Sequence, residues 1–493
     1  MMKKYLNKLL GLILTVTIGL CSLISCFGGD GGSSSRSDGE SESASASGAE
    51  SSKLPDYDKE DADKMIFNAW FTPEISEESF KAYKECGFNY MFLQGNNIGS
   101  LGGSKMMEAM ELCEKLDIKV YVDVTRSEGA MLNLAERLTK YKCFMGFNYD
   151  EPVIHSSKLN GTTGIVELSP YVTALRNKYP QVEFLVNLNH TSCVSYPWGT
   201  EPFTYEEYLQ ALFDNILSVY ADTNTRKWLS CDDYPLYKDT SAKKQYYLKA
   251  DWIQGLEYLA TKKRDSDMEL YSNFFIQAMP YGTGAKSRDR VPSYNDLRLQ
   301  IYSVMAFGYD SVSFFCYGTP PAVEGGEFTE EQVALVDRSG NKTEIWTNSQ
   351  KLISEINKFS HTYMQFNDNW LGVLPLLGTN NIAKDDTYYN SSFDTLISPL
   401  SGANRLKGVK SVEATEDSIV GYMQDKNGNP GYMVVNYNDT TENKKSVVTF
   451  KFANYNKAYV YIDGTKKEVT LKNNELTLDL GVGEGVFVIP YAG

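Results

Sequence analysis

Eight apolar runs of strand length recur between residues 65 and 315, and a stretch of helical character fills each gap between them. The runs are residues 65–70, 90–94, 119–123, 143–147, 184–187, 228–231, 271–277 and 311–315. The helical stretches are 76–86, 104–116, 130–141, 170–179, 205–220, 242–260 and 293–307, and a closing helix is expected over 348–363. The runs are almost continuously apolar, as expected of strands covered on both faces. Strict strand–helix alternation implies a parallel sheet with right-handed crossovers. Eight such units over roughly 250 residues fit a closed (β/α)8 TIM barrel better than an open doubly wound sheet. No Gly-rich phosphate loop follows any run, which argues against dinucleotide binding.

The texture changes near residue 369. Short alternating segments follow at 418–423, 431–437, 445–452, 457–462, 467–471, 476–480 and 485–489. Lys426-Asn427-Gly428-Asn429, Asp463-Gly464 and Asn473-Asn474 stand between them as hairpin turns. The α/β barrel is therefore assigned to 59–368 and an antiparallel β-sandwich to 369–493.

The N-terminus has a different logic. Lys3, Lys4 and Lys8 precede an apolar run that is short for a spanning helix, the pattern of an export signal over residues 1–25. Residues 26–58 are mainly Gly, Ser, Ala and acidic residues, a tether unable to bury enough apolar surface to fold. The other six cysteines, Cys86, Cys113, Cys143, Cys193, Cys231 and Cys316, show no CxxC spacing and read as buried thiols. The formal charge of −15 argues against nucleic acid as a partner, since phosphate binding needs clustered Lys and Arg. His155, His190 and His361 lack ligand spacing, so neither a metal nor a cofactor is expected.

Barrel active sites lie at the C-terminal ends of the strands. The residues there are Trp70, Gln94, Asp150 and Glu151, Asn187 and Asn189, then Asp232, Asp233 and Tyr234, and finally Gln277 and Tyr317. Amides and acids bond hydroxyls, and aromatic faces stack on a sugar ring. Cutting an acetal needs one carboxylic acid for the leaving oxygen and a carboxylate as nucleophile or base. This ring of residues therefore points to an oligo- or polysaccharide. A helix N-terminus at Asp150-Glu151-Pro152 and a simple turn at Tyr234-Pro235 are the plainer readings.

Several segments together resemble a known group. Gly146-Phe147-Asn148-Tyr149-Asp150-Glu151-Pro152 resembles the "GF…DEP" segment of bacterial barrels classed with the clan A glycoside hydrolases, similar to the family 42 β-galactosidase-like barrels. Leu229 to Pro235 resembles their "LSYDHYP", Phe275-Ile276-Gln277-Ala278 their "FVQA", Phe315 to Pro320 their "YFTYWTP", and Asp337 to Thr343 their "DRDGKPT". The likeness implies a glycoside hydrolase with Glu151 as general acid/base. It departs at two points: Asp150 stands where the clan has Asn, and Gln277 where it has the nucleophilic Glu. Asp232 as second carboxylate, a substrate acetamido group in its place, and glycan binding without cleavage are the three resulting alternatives. Leu23-Ile24-Ser25-Cys26 resembles a lipobox, which implies Cys26 as a lipid anchor holding the protein to a bacterial membrane or cell surface.

Overall fold

The computed structural model describes residues 54–59, 63–124, 127–156, 163–193 and 203–493. The export signal, Cys26 and the tether up to residue 53 lie outside the described residues. No described helix is long and apolar enough to cross a membrane.

The strands before residue 320 are, in chain order, β1 (Ile66–Ala69), β2 (Tyr90–Leu93), β3 (Lys119–Asp123), β4 (Phe144–Asp150), β5 (Glu183–Leu188) and β6 (Trp228–Asp232). They continue with the hairpin β7 (Leu236–Asp239) and β8 (Tyr246–Leu248), then β9 (Tyr271–Gln277), the short β10 (Lys286–Ser287) and β11 (Ser311–Phe315). Eight of them form one sheet in the order β1-β11-β9-β6-β5-β4-β3-β2, paired in parallel throughout. The edges β1 and β2 meet through one backbone bond, Asn89 N–H to Phe67 O at 3.1 Å, and through side chains. Phe67 N–H donates to Asn89 Oδ1 at 2.8 Å, Phe71 N–H to Gln94 Oε1 at 2.8 Å, and the Thr72 hydroxyl to Phe92 O at 3.0 Å. The chain is thus a (β/α)8 barrel.

Helices Glu77–Glu85, Ser104–Leu116, Glu128–Leu138, Ile165–Lys178, Tyr205–Asn215, Trp252–Arg264 and Tyr294–Ala306 fill the crossovers. Local chemistry sets their starts: Thr204 and Ser293 each close a capping box, with Glu207 and Asp296 returning the bond. One expectation is corrected. The helix foreseen over 242–260 starts only at Trp252, because Tyr246–Leu248 pairs back onto Leu236–Lys238. Phe92, Tyr121, Leu185, Trp228 and Phe275 fill the barrel interior, so it is a packed core rather than a pore.

The C-terminal strands are β12 (Trp370–Leu376), β13 (Val409–Ala414), β14 (Ser418–Gln424), β15 (Pro430–Asn436), β16 (Ser446–Phe452), β17 (Lys457–Ile462), β18 (Thr465–Thr470), β19 (Glu475–Leu480) and β20 (Gly485–Tyr491). They make a six-stranded sheet, β12-β14-β15-β20-β17-β18, facing a three-stranded one, β13-β16-β19. β16 and β19 alternate buried and more exposed residues, as one-faced strands do. β14, β15 and β20 are buried nearly throughout. Their second face packs on the barrel, where Ile419, Met433 and Phe487 join the same apolar cluster as Tyr302 and Phe307. Gly421 lies so close to the helix Tyr294–Ala306 that a Cβ there would come within 2.0 Å of Ala306 O.

The end of the expected tether is also corrected. Tyr57 is buried, packs against Phe366 with ring centroids 5.1 Å apart, and donates its hydroxyl to Asp425 Oδ2 at 2.9 Å. An aromatic ring with a hydrogen-bond partner has reason to dock, so the folded region begins before residue 58.

Candidate active site

A cavity of about 410 Å³ opens at the C-terminal ends of the barrel strands. Its wall includes Trp70, Asp150, Glu151, Asn187, Asn189, Asp232, Asp233 and Tyr234, all expected from the sequence, together with His190. It also includes Phe275, Tyr281, Arg288, Phe315 and Glu327, which were not among the expected site residues. Its volume lies in the roughly 300–1,000 Å³ range of small-molecule sites.

The floor is built strand by strand. Asp150 ends β4 and pairs with Asn187 on β5. Asn187 Nδ2 donates to Asp150 Oδ1 at 3.1 Å, and Asn187 Oδ1 accepts from the Ser230 hydroxyl at 2.8 Å. Asn273 Nδ2 donates to Ser230 Oγ at 2.9 Å, and its Oδ1 accepts from Ser313 at 2.8 Å. A chain of hydrogen bonds thus crosses β4, β5, β6, β9 and β11 and fixes the Asp150 carboxyl. Glu151 follows with φ of +40°, its N–H bonded to Asn187 O at 2.8 Å. A non-glycine residue held in this left-handed region is costly and is often found at functional sites. No helix starts at residues 151–156, and the next described one begins at Ile165, so the helix N-terminus reading of Asp150-Glu151-Pro152 does not apply.

Three carboxyls share this floor. Burial, then the charge of Glu151, pushes Asp150 up to about 8, against the opposing bond from Asn187. Asp150 faces the open cavity, so water tempers that rise. Burial and then the charges of Glu151, Asp150 and Asp233 hold Asp232 well above the usual carboxylate range. Glu151 is raised by burial and by Glu327, with Arg288 and a hydrogen bond to Asp232 pulling the other way. A bond between two carboxyls requires a proton on one of them. No protein donor reaches the buried Asp232 Oδ1, and burial favours Asp232 as the holder of that proton.

The walls are firm. Asp233 is tied to Lys249 at 2.7 Å and caps the Tyr234 N–H at 2.9 Å. The Tyr234 ring packs on Tyr281 at 5.4 Å and Phe315 at 5.3 Å. Trp70 rests on Phe92 and Phe275 at 5.5 and 5.8 Å and stays partly open. Asn189 Nδ2 donates to Tyr208 Oη at 3.3 Å. His190 Nδ1 meets Ser192 Oγ at 2.8 Å, and burial lowers its pKa toward the neutral ring. Glu327 sits on the loop after β11, anchored by the Gly282 N–H to its carbonyl at 2.8 Å.

Three expected residues do not reach the cavity, each for a physical reason. Gln277 is fully buried; its Oε1 accepts from Leu236 N–H at 3.0 Å, and its Nε2 donates to Arg288 O at 2.8 Å and Met279 O at 3.3 Å. Its amide fastens β7 and the loop after β9. Gln94 is committed to the β1–β2 seam. Tyr317 is buried against Tyr83 and Phe88 at 4.7 and 5.9 Å, so its ring has no free face for a sugar. Among the described residues no group of three or more His, Cys, Asp or Glu side chains is arranged to hold a metal ion. The six described cysteines are buried and unpaired with one another.

No protein-family model matches the chain, and no curated protein matches it. Among solved structures it is similar to a GH27 β-L-arabinopyranosidase from Geobacillus stearothermophilus, at 11% identity and TM-score 0.45, over 89% of this chain and 98% of that one. An Anoxybacillus α-amylase is similar at 10% identity and TM-score 0.46, over 87% and 98%. A β-galactosidase from a psychrophilic Marinomonas is similar at 10% identity and TM-score 0.44, over 61% and 62%. Likeness at this level says nothing of what this chain acts on.

Proposed function

We propose that the chain is an exported glycoside hydrolase, lipid-anchored at Cys26, that cuts an oligo- or polysaccharide with Glu151 as general acid/base. The observation that carries this reading is that Glu151, Asp232 and Glu327 line one aromatic-walled cavity at the strand ends. Burial favours a proton on the Glu151 and Asp232 carboxyls. Asp232, the more deeply buried member, stores it, and Glu151 delivers it to the glycosidic oxygen. The C–O bond breaks, its electrons leave with that oxygen, and water adds to the anomeric carbon. Glu327, at the same cavity and near enough for its charge to raise Glu151, takes the proton from that water. Trp70 stacks on the sugar, and Asn187, Asn189 and Tyr234 bond its hydroxyls. The motif resemblance to the family 42 barrels supports the same class.

A second reading, glycan binding without cleavage, is favoured by one observation. Gln277 occupies the position of the family's nucleophile and is locked in structural bonds. Reducing-sugar release across a polysaccharide panel separates the two. Cleavage requires that wild type release sugar from at least one polymer and that Glu151→Gln lower the rate by about 10²–10⁴-fold while staying folded. Glycan binding with no release from any polymer would establish the second reading instead.

A further inference from the structure

Arg288, in the cavity wall, lacks the carboxylate partner that Arg226, Arg290 and Arg298 have. Arg226 meets Glu183 at 3.3 Å, Arg290 meets Asp296 at 2.5 Å, and Arg298 meets Glu484 at 2.5 Å. Arg288 has no carboxylate within 4 Å among the described residues, and its Nε is buried with no hydrogen-bond partner. Asp289, next to it in sequence, is engaged with Lys238 at 2.9 Å, and Asp233, in the same cavity wall, with Lys249 at 2.7 Å. The guanidinium is nonetheless well held. It lies over the Tyr237 ring at 5.1 Å and the Tyr281 ring at 5.5 Å. Its backbone carbonyl accepts from Gln277 Nε2 and from Tyr281 N–H.

Stacking occupies the faces of a guanidinium and leaves its N–H edge for an in-plane acceptor, and a carboxylate matches that fork with two parallel bonds. Leaving a buried donor unpaired is costly, so a stacked, half-buried arginine with an unpaired buried Nε in a substrate cavity is a group prepared for an acceptor brought from outside. Arg288 and Glu151 line the same cavity of about 410 Å³. A single sugar can therefore span the two.

We infer that the cavity takes an acidic sugar: Arg288 receives the carboxylate of a uronic-acid-type residue while the anomeric carbon sits at Glu151. This rests on the glycoside hydrolase reading and names its substrate class. The test needs no cleavage. Calorimetric titration of the full chain would use oligogalacturonides, alginate oligosaccharides and hyaluronan oligosaccharides, each against its carboxyl-reduced, neutral counterpart. At least one acidic oligosaccharide should bind ten-fold or more tighter than its reduced form. Arg288→Gln should erase that ratio, and Arg288→Lys, which keeps the charge and loses the fork, should retain only part of it. Both variants should keep the wild-type melting temperature within a few degrees; if either unfolds, the wild-type ratio alone decides. Equal binding of acidic and reduced forms, or a ratio unchanged in Arg288→Gln, overturns the inference and leaves a neutral-sugar hydrolase standing. Binding to none of the oligosaccharides, acidic or reduced, overturns it as well, and failure of the polysaccharide panel would mark the loss of the hydrolase reading separately.

Discussion

A carboxyl group taken out of water gives up its proton late, because the charged form loses its solvation. Asp150, Glu151 and Asp232 all carry this cost. Their folded-state pKa values lie above the unfolded value of about 4, so the folded state holds extra protons between the two. Stability from these groups is full below about pH 4 and is lost as the pH climbs through their raised folded-state values. Asn at position 232 cannot ionise. The melting temperature of Asp232→Asn should therefore match wild type near pH 4 and rise relative to it between pH 5 and 8. A difference that does not change with pH would mean that no buried acid titrates there. At this scale the sequence was partly legible. Strand-end position located Asp150, Glu151, Asn187, Asn189, Asp232, Asp233 and Tyr234, and all line one cavity. It failed for Tyr317, which turns toward Tyr83 and Phe88. It also missed Tyr281, Arg288 and Glu327, which reach the cavity from long loops whose paths no local pattern encodes.

Elements carry the site through two devices. One is the polar chain from Asp150 through Asn187, Ser230 and Asn273 to Ser313, which ties five strands at one level of the barrel. Ser230 is fully buried between two of these bonds. Ser230→Ala should lower stability by about 1–3 kcal/mol and, by freeing Asn187 and Asp150, cut turnover about ten-fold, a loss of near 1.4 kcal/mol in the barrier. Chemical denaturation and steady-state kinetics check the two effects; an unchanged rate would separate this chain from the chemistry. The other device is the hairpin β7–β8, joined by β10 to the loop that bears Arg288. Residues 242–249, Ala-Lys-Lys-Gln-Tyr-Tyr-Leu-Lys, suit a helix by propensity. Pairing with β7 overrides that preference for Tyr246–Leu248. Such pairing depends on residues distant from the local window, so the hairpin was invisible to periodicity while the eight barrel strands were not.

At the scale of the whole molecule, strands β14, β15 and β20 of the six-stranded sheet form an apolar layer with two buried faces. One covers the three-stranded sheet and the other covers the barrel helix Tyr294–Ala306. The near-unbroken apolar character of β14, β15 and β20 records that double burial. With barrel and sheet residues in one apolar cluster, calorimetry of residues 51–493 should show one cooperative transition; two separated transitions would mean the two cores melt independently. Gly421→Val should lower that single midpoint, since its Cβ would fall 2.0 Å from Ala306 O and overpacking of this kind costs about 1–3 kcal/mol or more. The central claim, that the Glu151–Asp232 pair moves a proton to a glycosidic oxygen, is met most directly by turnover of Glu151→Gln on a polysaccharide that wild type cleaves. A folded variant with activity reduced by at least about 10²-fold is the predicted result, and a folded variant that releases sugar at the wild-type rate would contradict it.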